Sequence, residues 1–381
     1  MKPRLLILTT RYPLPIFGGD TLRIINIAKY LSQYYDVTLV CIDNGVKRDL
    51  PLERQLPFTV LVFKQTNFDR LNGVINLLLL RRTLQNAYYE CREYTNFVKE
   101  SDFESTKFLV HLTRSIHFLP KEQCNQNVLE MTDATSYSFR KKFFKKFLAN
   151  PSLALAQFLD SFGTRNVEKT AIELFKNVVL VSERDATYFK TDVIKVIENG
   201  VQFCDRAVLG EPRRNSIVFV GNLTSLSNWS GLQSFVYGDF RNLRKLVPTL
   251  ELHVVGTVPV SVKRKLQEID GIMIHGNVSN LHDFISQFEI GICPIYFAGG
   301  MQNKVLDYLS AGIEAVVTRE TYNGLPHDLQ TYVKVYDNSH ELINFVLHSS
   351  KRCLDERQKI VDYMENTYGW TARLIGYEKL W

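Results

Sequence analysis

Short apolar runs rich in β-branched residues alternate with helical stretches along the whole chain, and this alternation limits the possible folds more than any other feature. It is typical of parallel sheets that are covered by helices on both faces. A chain of 381 residues is also longer than one hydrophobic core usually serves, so we expect two α/β domains. The predicted strands of the first half are Arg4–Thr9, Val37–Ile42, Val60–Phe63, Phe108–Leu112, Val128–Met131, Val178–Val181 and Val193–Ile197. Those of the second half are Ile217–Val220, Leu252–Val255, Ile272–Ile274, Ile290–Cys293 and Ala315–Val317.

The boundary between the two domains is expected close to residue 200. A polar segment with the sequence EPRRNS, residues 211–216, follows Asn199-Gly200-Val201 and is typical of a connection between domains. After it the strand–helix rhythm starts again. Ligands of open parallel sheets bind outside the carboxyl ends of the strands, so we expect the functional site in a central cleft that the two domains face.

The charge and cysteine content exclude several classes of protein. There are 46 Lys and Arg against 40 Asp and Glu, a net charge of +6 that suits an anionic substrate or membrane surface and requires no nucleic acid. The six cysteines are scattered, without metal-ligand or redox spacing, which predicts reduced thiols in a cytoplasmic protein. Leu5–Leu8 is too short for a signal peptide, and Val74–Leu80 is far below the ~20 apolar residues that span a bilayer.

The motifs of several common chemistries are missing from the sequence. It contains no G-x-G-x-x-G dinucleotide loop, no G-x-x-x-x-G-K-[ST] phosphate loop, no H-E-x-x-H and no G-x-S-x-G. There is also no D-x-D pair of carboxylates to hold a divalent ion on a donor diphosphate. We therefore expect neither a metal nor a resident cofactor, and the protein itself must neutralise any diphosphate that it binds.

The most informative segment runs from Glu289 to Thr318 and predicts a buried strand, a glycine turn, a helix from Gln302 to Ala311 and a further strand. Backbone N–H groups and the positive end of the helix dipole favour an anion at such a helix start. Lys304 in the first turn would add a cation beside the bound phosphates. Asp307, one turn later, would accept hydrogen bonds from ribose hydroxyls. The alternatives are a plain tight turn, a solvated lysine and an exposed carboxylate.

At these residues the chain resembles glycosyltransferase family 4, which comprises retaining nucleotide-sugar transferases of GT-B fold. The resemblance covers nearly the whole chain. It rests on the glycine loop after the first strand, the segments VLEMTDATS, VSERD and FVGNL, the tripeptide Asn199-Gly200-Val201 and the region around Tyr368-Gly369-Trp370. It implies a Rossmann-like acceptor domain at 1–200, a Rossmann-like nucleotide-sugar domain at 201–365, and a C-terminal helix at 366–381 that crosses back to the first domain.

The chain departs from the family at two points. Many members have two glutamates around the donor-binding turn, where this chain has Gly299 and Asp307. Members also often have an Arg and a Lys in and after the FVGNL loop, where this chain has Asn222 and no lysine before Lys245. We infer that Lys304 and backbone amides replace this basic pair.

The candidate site residues follow from the segment, from the resemblance and from residues at predicted strand ends. His111 and Arg114 follow one such strand, and Asp133 follows the next, where it would bond a sugar hydroxyl or pair with Arg114. A buried structural histidine is the alternative for His111, and a plain turn is the alternative for residues 275–278. The predicted catalytic residues are Lys304, Arg114 and Asp133. The predicted donor-binding residues are Gly221, Asn222, His275, Gly276, Val278, Gly299, Gly300, Met301, Gln302, Asn303, Lys304 and Asp307. The predicted acceptor-binding residues are Gly18, Gly19 and His111.

The expected activity is that of a metal-independent, retaining transferase of the hexosyl type, acting in the biosynthesis of a cell-surface polysaccharide. Its expected partners are a nucleotide sugar and a glycan or lipid-linked acceptor. The basic-aromatic stretch FRKKFFKKFL, residues 139–148, fits either a helix lying on the inner face of an anionic membrane or a solvated amphipathic helix. Two other functions stay open: a nucleotide-sugar epimerase of the same fold, and a non-catalytic partner subunit of a glycosyltransferase.

Overall fold

A computed structural model describes residues 2–14, 16, 18–43, 45, 48–79, 81–141, 143, 151–296, 301–348 and 352–381. The chain divides into two compact units. Unit 1 comprises Met1–Glu198 and Leu374–Trp381, and unit 2 comprises Asn199–Arg373. Within the described residues, no helix combines the length and apolar character needed to cross a membrane.

Unit 1 is built on a parallel sheet of seven strands. The strands are β1 (Arg4–Leu8), β2 (Asp36–Ile42), β3 (Thr59–Phe63), β4 (Thr106–His111), β5 (Val128–Thr132), β6 (Asn177–Leu180) and β7 (Ile194–Val196). Their spatial order is β3-β2-β1-β4-β5-β6-β7, and each neighbouring pair is parallel. The helices are α1 (Gly19–Leu31), α2 (Leu50–Glu53), α3 (Asn67–Leu78), α4 (Leu84–Tyr88), α5 (Arg92–Lys99), α6 (Lys121–Cys124), α7 (Thr135–Lys141), α8 (Pro151–Leu174) and α9 (Glu183–Phe189), with a 3₁₀ helix at Thr113–Phe118.

Unit 2 has a parallel sheet of six strands. They are β8 (Arg213–Val220), β9 (Glu251–Val255), β10 (Ile272–Gly276), β11 (Phe288–Cys293), β12 (Glu314–Thr318) and β13 (Val333–Tyr336), in the order β10-β9-β8-β11-β12-β13. The α-helices are α10 (Leu226–Phe235), α11 (Arg241–Leu246), α12 (Val260–Gln267), α13 (Leu281–Ile285), α14 (Asn303–Ser310), α15 (Arg319–Tyr322), α16 (His327–Gln330), α17 (Ser339–His348), α18 (Leu354–Tyr368) and α19 (Trp370–Leu374). A π-helical turn at Val236–Phe240 joins α10 to α11, and short 3₁₀ helices lie at Arg206–Val208 and Tyr377–Lys379.

The sheet of unit 1 also holds a buried ion pair. Arg23 of α1 and Glu130 of β5 are both fully buried and form two hydrogen bonds of 3.0 Å. The hydroxyl of Tyr377 donates to the same carboxylate at 2.7 Å, so the C-terminal residues are part of this unit's core. Trp381 lies nearby in the same unit, and its indole donates to the carbonyl of Phe108.

The prediction of two parallel-sheet α/β domains is confirmed, and each predicted strand is present with ends shifted by at most a few residues. One prediction was wrong, and one strand was not predicted. Residues 213–216 of the polar EPRRNS segment are not a connection but the first half of β8, because Arg213 pairs with Phe288 of the neighbouring strand. The strand β13, with the short sequence VKVY, was missed. Most of the FRKKFFKKFL stretch lies outside the described residues.

Candidate functional site

The sheet of unit 2 reverses its strand order between β8 and β11. From β8 the chain adds β9 and β10 on one side, and it then returns to add β11, β12 and β13 on the other. Ligands of open parallel sheets bind outside the carboxyl ends of the strands at such a reversal. The loop after β8, the segment after β11 and the first turn of α14 therefore form the place to look for a ligand site.

Lys304 lies in the first turn of α14, which begins at Asn303. The side chain is buried, with only 7% of the residue exposed, and does not extend into solvent. Its ammonium donates a 2.7 Å hydrogen bond to Oδ1 of Asn228 on α10 and lies 4.4 Å from the ring centroid of Phe219 on β8. Three elements around the reversal therefore converge on one cation.

Burial lowers the pKa of Lys304, although Cys293 and Asp307 act in the opposite direction. Among the described residues, the ammonium has no carboxylate partner and makes one hydrogen bond, to a neutral amide. A buried charge without a counterion is costly unless a ligand compensates it. The arrangement is therefore suited to an anion.

The backbone around Lys304 is held by close contacts. Tyr308 of α14 is fully buried; its hydroxyl accepts from the N–H of Val220 and donates to the carbonyl of Ile292, both at 3.0 Å. Gly231 of α10 lies so close to the carbonyl of Pro294 that any side chain there would collide with it. These contacts fix α10 and α14 against the ends of β8 and β11.

Asp307, one turn after Lys304, is paired with a histidine that the sequence analysis did not single out. Oδ1 of Asp307 lies 3.0 Å from Nε2 of His282 on α13, and only 8% of the His282 side chain and 19% of the Asp307 side chain are exposed. The other carboxylate oxygen, Oδ2, takes part in none of the hydrogen bonds among the described residues.

Gly221 and Asn222 form the turn after β8. Asn222 Oδ1 accepts from the backbone N–H and hydroxyl of Thr224, and its carbonyl accepts from Asn228 Nδ2 at 3.0 Å. Gly256, with φ of 118°, packs against the carbonyl of Gly221 without room for a side chain. Asn228 thus links this turn directly to Lys304.

The residues predicted to frame a base lie on and after β10, at the edge of the sheet. The ring of His275 stacks on that of His253, with Nε2 of His275 2.9 Å from Nδ1 of His253. The carbonyl of Gly276 accepts from the N–H of Gly256, while Val278 packs against the hydrophobic core. His275 is therefore held by a second histidine.

The remaining predicted donor residues surround the start of α14. Met301 is buried in the core. Gln302 is the N-cap and makes no side-chain capping bond, and Asn303 Oδ1 accepts from Asn199 at 2.9 Å. The glycine pair Gly299 and Gly300, on which the predicted phosphate turn rests, lies outside the described residues.

Unit 1 reverses its strand order in the same way, between β1 and β4. Arg114, which follows β4, donates from Nε to Thr10 at 2.7 Å and from Nη2 to Asp20 at 3.1 Å. The predicted partner Asp133 is therefore not the carboxylate that Arg114 uses. Burial raises the pKa of Asp20, but Arg114, His111 and Arg11 outweigh it and hold the pKa below its usual value.

A second arginine joins this cluster from the end of β1. Arg11 donates to the hydroxyl of Tyr89 at 2.7 Å and lies 3.9 Å from Asp20. Two guanidinium groups thus share one carboxylate, which leaves an excess positive charge. The sequence signal for Arg11 was its place shortly after a strand, because it follows the end of β1 at the same distance at which Arg114 follows the end of β4.

His111 is the last residue of β4 and is buried, and burial lowers its pKa to about 3, so the ring is neutral. Its Nδ1 lies 3.1 Å from Thr9 Oγ1, while Nε2 has no hydrogen-bond partner among the described residues. Gly18 is the N-cap of α1 and Gly19 its first residue, so this pair starts the helix. Asp133 follows β5 and its backbone N–H bonds the carbonyl of Met131.

Over the described ranges, no group of three or more His, Cys, Asp or Glu side chains is arranged to hold a metal ion.

Three comparisons relate the chain to known proteins. Residues 214–347 match the family model described as "Glycosyl transferases group 1". No curated protein sequence matches the chain. Among solved structures, HepE of Anabaena in complex with UDP and glucose superposes with a TM-score of 0.66 at 13% identity, over 99% of this chain and 98% of that one. The fold is GT-B.

Two further structures agree with this assignment. A glycosyltransferase from Rickettsia africae superposes with a TM-score of 0.63 at 15% identity, over 100% of this chain and 97% of that one. A variant of TarM from S. aureus, in a complex that includes UDP, superposes with a TM-score of 0.66 at 9% identity, over 100% of this chain and 99% of that one. These structures agree on the fold, and the match at residues 214–347 supports the glycosyltransferase class for the chain.

Proposed function

We propose that the protein transfers a sugar from a nucleotide-diphosphate donor, held by unit 2, to a hydroxyl of an acceptor that unit 1 binds. One observation carries the proposal: the ammonium of Lys304 is buried at the strand-order reversal and lacks a carboxylate partner among the described residues. The diphosphate would supply the missing negative charge. The complex of HepE with UDP and glucose supports a nucleotide at a GT-B protein of this fold.

In the proposed donor complex the diphosphate lies at the first turn of α14. The backbone N–H groups at the start of that helix and the helix dipole favour an anion. Lys304 donates its remaining hydrogens to the phosphate oxygens, and Asp307 Oδ2 accepts from a ribose hydroxyl. These contacts would replace the metal ion that other sugar transferases use.

In the proposed reaction the bond between the anomeric carbon and the diphosphate oxygen breaks, and the acceptor oxygen bonds to the anomeric carbon. The acceptor attacks on the same face that the diphosphate leaves and gives its proton to the departing diphosphate, so no enzyme nucleophile is needed and the configuration is retained. Lys304 stabilises the charge that grows on the leaving group, which is electrostatic catalysis by a preorganised donor. We propose that the transferred sugar is a hexose.

The test is sugar transfer from a panel of nucleotide hexoses to a glycan-containing membrane extract, with analysis of the products. Lys304→Ala should reduce turnover by about two orders of magnitude or more, as removal of one transition-state donor does. Lys245→Ala is the matched control, because Lys245 is an exposed lysine in the same unit.

Other outcomes would favour the alternatives. Conversion of the donor sugar without an acceptor identifies an epimerase, and absence of nucleotide binding identifies a non-catalytic subunit. Normal turnover in Lys304→Ala would remove the proposed role of this residue.

A further inference from the structure

Helix α3 of unit 1 presents its apolar face outward. Phe68, Leu71, Ile75 and Leu78 recur at helical spacing and are all exposed, with Phe68 62% and Leu78 76% accessible. Such a stripe normally packs against a core. On a protein surface, an apolar patch of this kind marks an interaction site.

A second helix, α8, also exposes apolar side chains. Leu155, Leu159 and Phe162 of α8 are also exposed at helical spacing. Asp160 of the same helix accepts from the backbone N–H of Leu84, at the start of α4, at 2.8 Å. Helices α3, α4 and α8 therefore contribute to one side of the unit.

An apolar groove of about 410 Å³ lies between α3 and α4. Its lining residues include Gly73, Val74, Leu77, Leu84 and Ala87. It shares four lining residues, Gln65, Arg70, Leu84 and Tyr88, with a second and larger cavity of about 750 Å³. The two cavities are therefore neighbours.

The larger cavity reaches the arginine cluster at the strand-order reversal of unit 1. Arg11, Arg70 and Arg114 line it, together with one carboxylate, that of Asp43. Arg11 and Arg114 share Asp20, whereas Arg70 is exposed and is in none of the ion pairs among the described residues. This cavity carries an excess of positive charge, in contrast to the neighbouring groove.

We propose that the paired cavities bind an anionic lipid, whose phosphate lies at Arg11, Arg70 and Arg114 and whose chain lies in the groove beside Val74 and Leu77. The exposed stripe on α3 contacts the lipid surface from which the molecule is drawn. The positive charge of the three arginines complements the lipid phosphate. The lining residues that the two cavities share connect the phosphate position to the groove that holds the lipid chain. The inference rests on the proposed function in one respect, that the bound lipid is the sugar acceptor.

Calorimetry tests the site with dodecyl phosphate, butyl phosphate and dodecyl maltoside, each below its critical micelle concentration. Dodecyl phosphate should bind at least about tenfold more tightly than butyl phosphate, because a longer chain buries more apolar surface. It should also bind more tightly than the uncharged maltoside. Equal affinity for the two phosphates would show a simple anion site, and equal affinity for the two dodecyl compounds would show a simple apolar site; either result overturns the proposal.

Two variants test the phosphate position and the chain position separately. Arg70→Glu should weaken the binding of dodecyl phosphate at least about tenfold, because the charge attraction is lost. Val74→Asp should lower the affinity for dodecyl phosphate to nearly that for butyl phosphate. Arg264→Glu and Leu246→Asp, at exposed positions of unit 2, are the matched controls. If the unit 1 variants behave like the controls, the proposed site is wrong.

Binding of UDP, measured on the same samples, separates the two proposals. UDP affinity should not change in the Arg70 and Val74 variants. If UDP binds and dodecyl phosphate does not, the lipid site fails while the proposed function stands. If dodecyl phosphate binds and no nucleoside diphosphate does, the proposed function fails.

Discussion

The ammonium of Lys304 lies 2.7 Å from the side-chain oxygen of Asn228, although the two residues are 76 positions apart in the chain. The contact joins the first turn of α14 to α10 across the strand-order reversal of unit 2. Because the partner is an amide, it orients the ammonium without neutralising it. The charge therefore remains available for a ligand.

Replacement of Asn228 by Asp gives Lys304 a permanent counterion of the same size as the amide. We expect the affinity for nucleoside diphosphates to fall about tenfold to a hundredfold, that is by about 1.4 to 2.8 kcal/mol, because the new carboxylate competes with and repels the phosphates. Calorimetric titration with UDP, GDP and ADP measures the change. Asn242→Asp, an exposed position of the same unit, should leave the affinity unchanged. Unaltered binding in Asn228→Asp would mean that the phosphates bind elsewhere.

Asp307 should distinguish a nucleotide from a bare diphosphate. Asp307→Asn removes the charged acceptor for the ribose hydroxyls, a bond worth about 1.5 to 3 kcal/mol. We expect weaker binding of nucleoside diphosphates and little change for inorganic pyrophosphate. Asp355→Asn, at an exposed site on α18, is the control. Equal losses for both ligands would show that Asp307 acts on the phosphates or only holds His282.

The sequence predicted the sheets better than the site. Alternating apolar runs are a local signal, so strands such as β1 and β11 were found, together with the position of Lys304 at a helix start. β13 was missed because VKVY is short and contains a lysine, and the polar start of β8 is a strand only because β11 lies beside it.

The site residues that were missed come from distant segments. Asn228 follows a polar turn, with nothing local to indicate that it would reach Lys304. His282 and Asp307 lie 25 positions apart on different helices. Arg114 was found, but its carboxylate partner was sought in Asp133, at the next strand end, whereas α1 supplies Asp20. Which polar side chains meet depends on tertiary packing, which sequence spacing alone does not determine.

Glu168 should make the stability of unit 1 depend on pH. The carboxyl is buried, and burial raises its pKa to about 7, although hydrogen bonds from Ser136 act in the opposite direction. A raised pKa means that the folded state retains a proton that the unfolded state has lost. The group's stabilising contribution is thus complete below the unfolded pKa of about 4.5 and disappears as the pH rises to about 7.

Glu168→Gln removes this titration. Relative to the wild type, the variant should gain about 3 kcal/mol in the free energy of unfolding between pH 4.5 and pH 7.5. Urea titrations at the two pH values measure the difference. The buried histidines His111 and His117 contribute equally to the pH dependence of both proteins, so their contribution cancels in the comparison. A constant difference between the two proteins would contradict the raised pKa.

Tyr377 should anchor the C-terminal residues to the core of unit 1. Its hydroxyl donates to the buried carboxylate of Glu130, so Tyr377→Phe removes one hydrogen bond to this charged group, which keeps its two bonds from Arg23. We expect a loss of about 1.5 to 3 kcal/mol in the free energy of unfolding, measured by chemical denaturation. Tyr237→Phe, at an exposed position, should change it by less than about 0.5 kcal/mol. A loss no larger than that of the control would show that the bond contributes little.

In the proposed mechanism the buried ammonium of Lys304 binds a diphosphate. The most direct measurement is calorimetric titration of the wild type and of Lys304→Met with UDP in the presence of a chelator. We expect the wild type to bind without a divalent ion and the variant, although folded, to bind at least about tenfold more weakly. Equal affinity in the two proteins, or binding by the wild type only after a divalent ion is added, would contradict the account.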